Sequence, residues 1–107
     1  MRTLFLLAPH SRNQPSTNHK DFYTILTSGV GPDYGISSSL IGQVKPGMPV
    51  VVFDRDRRLQ ASGVVAGYVP TRKAGNGVQR YDVTIRNLAL GQYTNPASVN
   101  RFGVAIY

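Results

Sequence analysis

Blocks of apolar residues separated by polar turns run along the chain, and they predict mostly strands. The run Thr3–Leu7 is almost wholly apolar and is closed by Ala8-Pro9, which predicts a buried strand because proline cannot donate to a strand ladder. The residues of 10–18 are polar and predict a loop.

Two short helices are predicted after this loop. The first covers 21–26, where apolar residues recur at helical spacing, and Ser16 or Asn18 is placed to cap it. The second begins at the hydroxyl groups of 37–39 and ends at the turn 45–47.

The rest of the chain predicts four more strands. The β-branched segment 49–53 reads as a buried strand, in which we expect Val51 to be buried. Segment 59–69 follows a polar hairpin tip, and Gly63 and Gly67 mark bends or close backbone contacts. The last two strands are 78–90, where Tyr81, Val83 and Ile85 share the core face, and 102–107, with loops at 70–77 and 92–100.

This order predicts one α+β domain, 1–107, built on a small curled sheet or β-barrel. A hydrophobic share of 41% with 16% charged residues supports a packed core. The absence of cysteine excludes a disulfide framework, a thiolate zinc site and a cysteine nucleophile. The first apolar run is too short to span a membrane, so we expect a cytoplasmic protein without a membrane partner.

The charge balance favours a polyanionic partner. The formal net charge is +7, nine of the 12 basic residues are arginine, and all five acids are aspartate. Arginine makes planar, bidentate contacts to phosphates and base edges, so nucleic acid is the expected partner. The alternative is a basic surface that only keeps the protein in solution or meets an acidic protein.

Basic residues concentrate near two predicted turns and on the strand after them. If the strands curl, these residues form one basic face for phosphates, although Asp54 and Asp56 can instead make the first turn a salt-bridged one. The predicted nucleic-acid-binding residues are Arg55, Arg57, Arg58, Arg72, Lys73 and Arg80.

The sequence assigns no catalytic residue, metal or cofactor. His10 and His19 lack a nearby carboxylate cluster, and the chain has no G-x-S-x-G, Walker A or G-x-G-x-x-G motif. A metal-free ribonuclease using His10 with an arginine remains an alternative. Tyr34, in the predicted turn 31–35, is a candidate to stack on an unpaired base.

Two segments resemble the PUA-like superfamily, especially its EVE and YTH-type members. These are LIGQVKPGMPVVVF at 40–53 and ASGVVAGY at 61–68, together with the opening strand and its Pro-containing loop. The resemblance implies a small β-barrel that binds nucleic acid and accepts a flipped, often modified base. Relatives that read modified bases often line this pocket with tryptophan, which this chain lacks.

Carried over to this chain, the resemblance places a base pocket at His10 and Ser11 after the first strand and at Phe53 and Asp54 at the end of the predicted strand 49–53. The alternative is that Phe53 is a core residue and Asp54 caps the hairpin. The sequence therefore predicts a non-enzymatic nucleic-acid-binding module. A small phage or mobile-element protein that inhibits a host defence system, by binding protein or guide RNA, and an RNase-type toxin are the alternatives.

Overall fold

Strands dominate the part of the chain described by this computed structural model, which is residues 2–8, 21–73, 77–96, 98–100 and 102–107. Within it, six strands form one sheet in the order β2-β5-β4-β3-β1-β6, and the prediction of a small curled sheet is confirmed. In chain order the elements are β1 (Leu4–Leu7), α1 (Phe22–Ser28), β2 (Val30–Gly35), α2 (Ser38–Ile41), β3 (Pro49–Asp54), β4 (Leu59–Lys73), β5 (Gln79–Gly91) and β6 (Val104–Ile106).

The first strand lies inside the sheet, as its unbroken apolar sequence predicts. It pairs in parallel with β3, with Leu4 opposite Val50 and Leu7 opposite Phe53, and antiparallel with β6 on its other side. Because its backbone groups are hydrogen-bonded on both sides, the strand can lie inside the protein. The side chains of Leu4 and Leu6 are fully buried there.

The core lies on one face of the sheet and is covered by α1. Val50 and Val52 point into it, together with Val83 and Ile85 from β5, and Tyr81 packs against it while half-buried. The expectation that Val51 is buried is wrong. Side chains alternate along a strand, so Val51 lies half-buried on the opposite face.

Strands β4 and β5 form a long antiparallel hairpin with three register shifts. One shift brackets Gly63, where an added Cβ would lie 2.6 Å from the carbonyl oxygen of Arg86. Another lies at Gly67, where an added Cβ would meet nothing within 4 Å. A close backbone contact, expected for either glycine, therefore occurs at Gly63.

Several elements differ from the prediction. The predicted turn 31–35 is the edge strand β2. An edge strand has one side without a partner strand, so it tolerates Pro32. A bulge next to Pro32 leaves Asp33 at φ 56°. Asp21 caps α1, whereas Ser16 and Asn18 lie outside the described residues. Strand β4 runs on to Lys73, into the predicted loop.

The connection from β5 to β6 crosses the sheet at the end where β1 and β3 finish. Its Thr94 donates through both N and Oγ1 to Gln60 Oε1, at 2.9 and 3.0 Å. Further on, the carbonyl of Gly103 accepts from the Leu7 amide at 2.8 Å.

Within the described ranges, no helix is long and apolar enough to cross a membrane.

Candidate functional site

The carboxyl ends of β1 and β3 meet because the two strands are parallel neighbours. Beyond the last paired residues, the Ala8 amide donates to the Phe53 carbonyl at 2.8 Å. The predicted base pocket requires these two strand ends to lie together, and they do. His10, Ser11 and His19 lie outside the described residues. We call this end of the sheet the strand-end site: Ala8, Asp21, Phe53, Asp54 and the β3–β4 turn, 55–58.

Asp54 organises the β3–β4 turn. It is only 2% exposed, and its Oδ1 accepts from the backbone amides of Asp56 and Arg57, both at 3.0 Å. Its Oδ2 accepts from Arg57 Nε at 2.7 Å. An aspartate that accepts from amides two and three residues ahead fixes a turn. This is the hairpin-capping role that stood as the alternative to a base-reading carboxylate.

Arg57 ties the turn to helix α1. Its Nη2 lies 2.6 Å from Asp21 Oδ1, and Asp21 in turn caps the helix by accepting from the Tyr23 amide. The guanidinium also lies 5.5 Å from the centre of the Tyr23 ring. Hydrogen bonding to Asp54 is the main cause that raises the pKa of Arg57. Asp21 and Tyr23 are not recognisable as partners of Arg57 from the sequence, because 34 or more positions separate them from it.

Arg55 and Arg58 are exposed and have no carboxylate partner among the described residues. The guanidinium carbon of Arg58 lies 5.0 Å from the centre of the Tyr93 ring, on the crossing connection. That of Arg55 lies 5.9 Å from the Phe53 ring. Each therefore lies at a distance from an aromatic ring where cation–π attraction operates, and neither forms an ion pair with a carboxylate of the described residues.

The rings of Phe53 and Tyr34 are closed to a ligand in this conformation. Both side chains are fully buried. Tyr34 donates its hydroxyl to the Leu7 carbonyl at 2.8 Å, and burial raises its pKa. In this conformation Tyr34 presents no exposed ring for stacking, because its segment is a strand whose side chain enters the core rather than an exposed turn.

The other predicted phosphate contacts lie at the far end of β4 and stabilise the β2 bulge. Arg72 Nη2 lies 2.8 Å from Asp33 Oδ2, and Arg80 Nη1 donates to the Asp33 carbonyl at 3.0 Å. The Asp33 amide donates to Asp82 Oδ1 at 2.9 Å. Lys73, the last residue of β4, is exposed and lies beside them in the chain.

The six predicted basic residues therefore do not form one continuous cluster. Arg58 directly precedes a 15-residue strand and Lys73 ends it, so the two groups lie at opposite ends of β4. Each group also has acids beside it. The turn arginines lie near Asp21, Asp54 and Asp56, and the second group lies near Asp33 and Asp82, which together are all five acids of the chain.

Among the described residues, no group of three or more histidine, cysteine or acidic side chains is placed to hold a metal ion. No protein-family model, curated protein or solved structure matches this chain. The argument about function therefore rests on the geometry and charge given above.

Proposed function

We propose that this chain is a non-enzymatic nucleic-acid-binding module and that the β3–β4 turn is part of its interface. The observation that carries the proposal is the pair Arg55 and Arg58, two exposed guanidinium groups against aromatic rings without a carboxylate partner among the described residues. A guanidinium presents a fork of N–H donors that matches the oxygens of a phosphate. A ring contact limits the motion that would otherwise be lost on binding.

The turn is fixed before any ligand arrives, which further supports the proposal. Asp54 bonds two amides of the turn, and Arg57 joins it to the capping residue of α1. Arg57 is thus engaged by two carboxylates, while Arg55 and Arg58 are available to a partner. The formal net charge of +7 adds long-range attraction for a polyanion.

Reading of a flipped or modified base stays a prediction and rests on fewer residues than the sequence indicates. Phe53 and Tyr34 are enclosed, and Asp54 is engaged by the turn. Such a pocket then depends on His10 and Ser11, outside the described residues, or on a rearrangement of the turn. The host-defence inhibitor and the RNase-type toxin stay predictions as well.

The test is the salt dependence of binding to short single-stranded and duplex DNA and RNA. Binding is measured by fluorescence anisotropy. We expect the logarithm of the affinity to fall linearly with that of the salt concentration. Arg55→Gln and Arg58→Gln should each weaken binding to all sequences and reduce the salt slope by about one unit.

Arg86→Gln is the matched control, since Arg86 is exposed on β5 opposite Val64, between the two ends of β4 where the basic groups lie. An equal loss in all three variants would show that binding follows net charge rather than the turn. No binding of any of the four nucleic acids at low salt would contradict the proposal and favour a protein partner.

A further inference from the structure

We propose that a groove at the opposite end of the sheet from the strand-end site binds a phosphate monoester that carries an apolar or aromatic body. The groove is a cavity of about 710 Å³ lined by residues just before β1 and by the α2–β3 connection, with Arg2, Gln43, Lys45, Pro46 and Met48 among them. Because β1 and β3 are parallel, their starts lie together as their ends do. This proposal does not rest on the proposed nucleic-acid function.

The groove brings two basic side chains together without an acid. Arg2 and Lys45 both line it, and none of the described residues that line it is acidic. All five aspartates of the chain belong to the two groups around the β3–β4 turn and the β2 bulge. The carbonyl of Tyr107 accepts from the Thr3 amide. Tyr107 therefore lies on the β6 side of β1, away from β3.

The groove is built by fixed contacts rather than by loose side chains. Arg2 Nη1 donates to Gln43 Oε1 at 3.0 Å, which holds the guanidinium against the opposite wall. The Gly47 amide donates to the Val65 carbonyl at 2.8 Å and attaches the turn to β4. Gly47 has φ 93°, a conformation that favours glycine, so the turn shape depends on this residue.

An arginine and a lysine together suit a phosphate better than a single-charged anion. Arginine supplies a planar fork and lysine a compact charge, and a phosphate monoester has up to two negative charges near pH 7. Pro46 and the largely buried Met48 give the same groove an apolar wall for the body of the ester. A volume of about 710 Å³ is within the range of small-molecule sites.

The same chemistry has two sources, a free nucleotide and the terminal phosphate of a nucleic-acid strand. The first experiment uses AMP as the probe and follows backbone amide chemical shifts of the full chain. Adenosine lacks the phosphate and inorganic phosphate lacks the body, so we expect AMP to bind about tenfold or more tightly than either. The shifted amides should be those of 42–48.

Variants then separate the groove from general charge. Arg2→Gln and Lys45→Gln should each weaken AMP binding about tenfold, as expected for loss of a charged hydrogen bond. Arg86→Gln removes the same charge outside the groove and should leave AMP binding unchanged. Both groove residues are exposed, so the variants should keep the thermal midpoint of the parent. If one variant fails to fold, the other gives the result.

Three results would overturn the proposal: equal binding of AMP and adenosine, no shifts in 42–48 at millimolar AMP, or the same loss in Arg86→Gln. Competition against bound AMP by a 5′-phosphorylated and a 5′-hydroxyl oligonucleotide identifies the source. Competition by the phosphorylated strand alone supports the groove and assigns it a strand end. Competition by neither supports it and assigns it a free nucleotide. Equal competition by both would show that internal phosphates bind and would refute the monoester class.

Discussion

Arg57 and Arg58 are adjacent in the chain and have different electrostatic surroundings. Arg57 lies 2.7 Å from the carboxylate of Asp54 and 2.6 Å from that of Asp21. Arg58 lies over the Tyr93 ring and forms no ion pair with an acid among the described residues. The first residue therefore supports the fold, while the second is available to a partner.

Replacing Arg57 by alanine should lower the free energy of unfolding by about 1–3 kcal/mol, because Asp54 keeps its buried carboxylate and loses a charged donor. Arg58→Ala should change it by less than about 0.5 kcal/mol. Urea unfolding of both variants measures the difference. Equal stabilities would mean that the ion pairs of Arg57 contribute nothing to folding.

Tyr34 should make the fold sensitive to alkaline pH. In the unfolded chain its pKa is about 10, and burial raises the pKa in the folded protein. Below pH 10 both states keep the proton and the full stability is present. Above it the unfolded state loses the proton first, so stability falls as pH rises.

Tyr34→Phe removes this contribution. At pH 7 the variant should be less stable by about 1 kcal/mol, because the hydrogen bond to Leu7 is lost. Between about pH 9 and pH 11, around the reference tyrosine pKa near 10, its free energy of unfolding should fall less steeply than that of the parent. Unfolding by urea across that range is the measurement. Parallel curves for the two proteins would show that another group governs the alkaline response.

At the scale of elements, the β4–β5 hairpin requires glycine at Gly63 but not at Gly67. Gly63→Ala would bring a Cβ within 2.6 Å of the Arg86 carbonyl and 2.9 Å of Ile85 Cγ2. The backbone must shift, and we expect a loss of about 1–3 kcal/mol. Gly67→Ala has open space and no positive φ, so it should be neutral or slightly stabilising.

Thermal unfolding of the two alanine variants tests this contrast. The matched pair keeps composition and strand the same, and only the distance to the facing strand differs. If Gly63→Ala melts with the parent, the close approach of β4 and β5 is not required by the fold.

The strands β1, β3, β4 and β5 are predictable because each has a local apolar pattern that agrees with its place in the sheet. Strand β2 is not, since glycines and Pro32 hide a pattern that is stabilised by pairing with β5, about 50 positions away. Val51 shows a second limit. An unbroken run of valines gives no period, so the face that each side chain occupies depends on the register with β1.

At the scale of the whole molecule, each strand's place in the sheet predicts how slowly its amides exchange with solvent. Strand β3 pairs on both sides, with β1 and β4, whereas β2 and β6 are the edges. Opening an edge breaks one ladder and opening β3 breaks two. Hydrogen exchange should therefore be slowest in β3 and faster in β6. Equal protection of β3 and β6 would indicate that the sheet opens only as a unit.

The candidate site is predictable only as far as it depends on strand order. Convergence of the ends of β1 and β3 follows from their parallel pairing. The six predicted basic residues lie in two groups, because β4 is 15 residues long and separates its two ends. The hydrogen bond of Arg2 to Gln43, which brings Arg2 into the same groove as Lys45, is not predictable either, since 41 positions separate the two bonded residues.

The position of β1 has a consequence for how the chain is made. This strand pairs only with β3 and β6 in the described sheet, so its first partner is translated more than 40 residues later and its second more than 90 residues later. The β4–β5 hairpin, by contrast, consists of neighbouring segments and can form early. During synthesis the apolar side chains of Leu4–Leu7 therefore stay without a partner strand while more than 40 further residues are added. This is the interval in which a nascent chain is exposed to aggregation or chaperone capture.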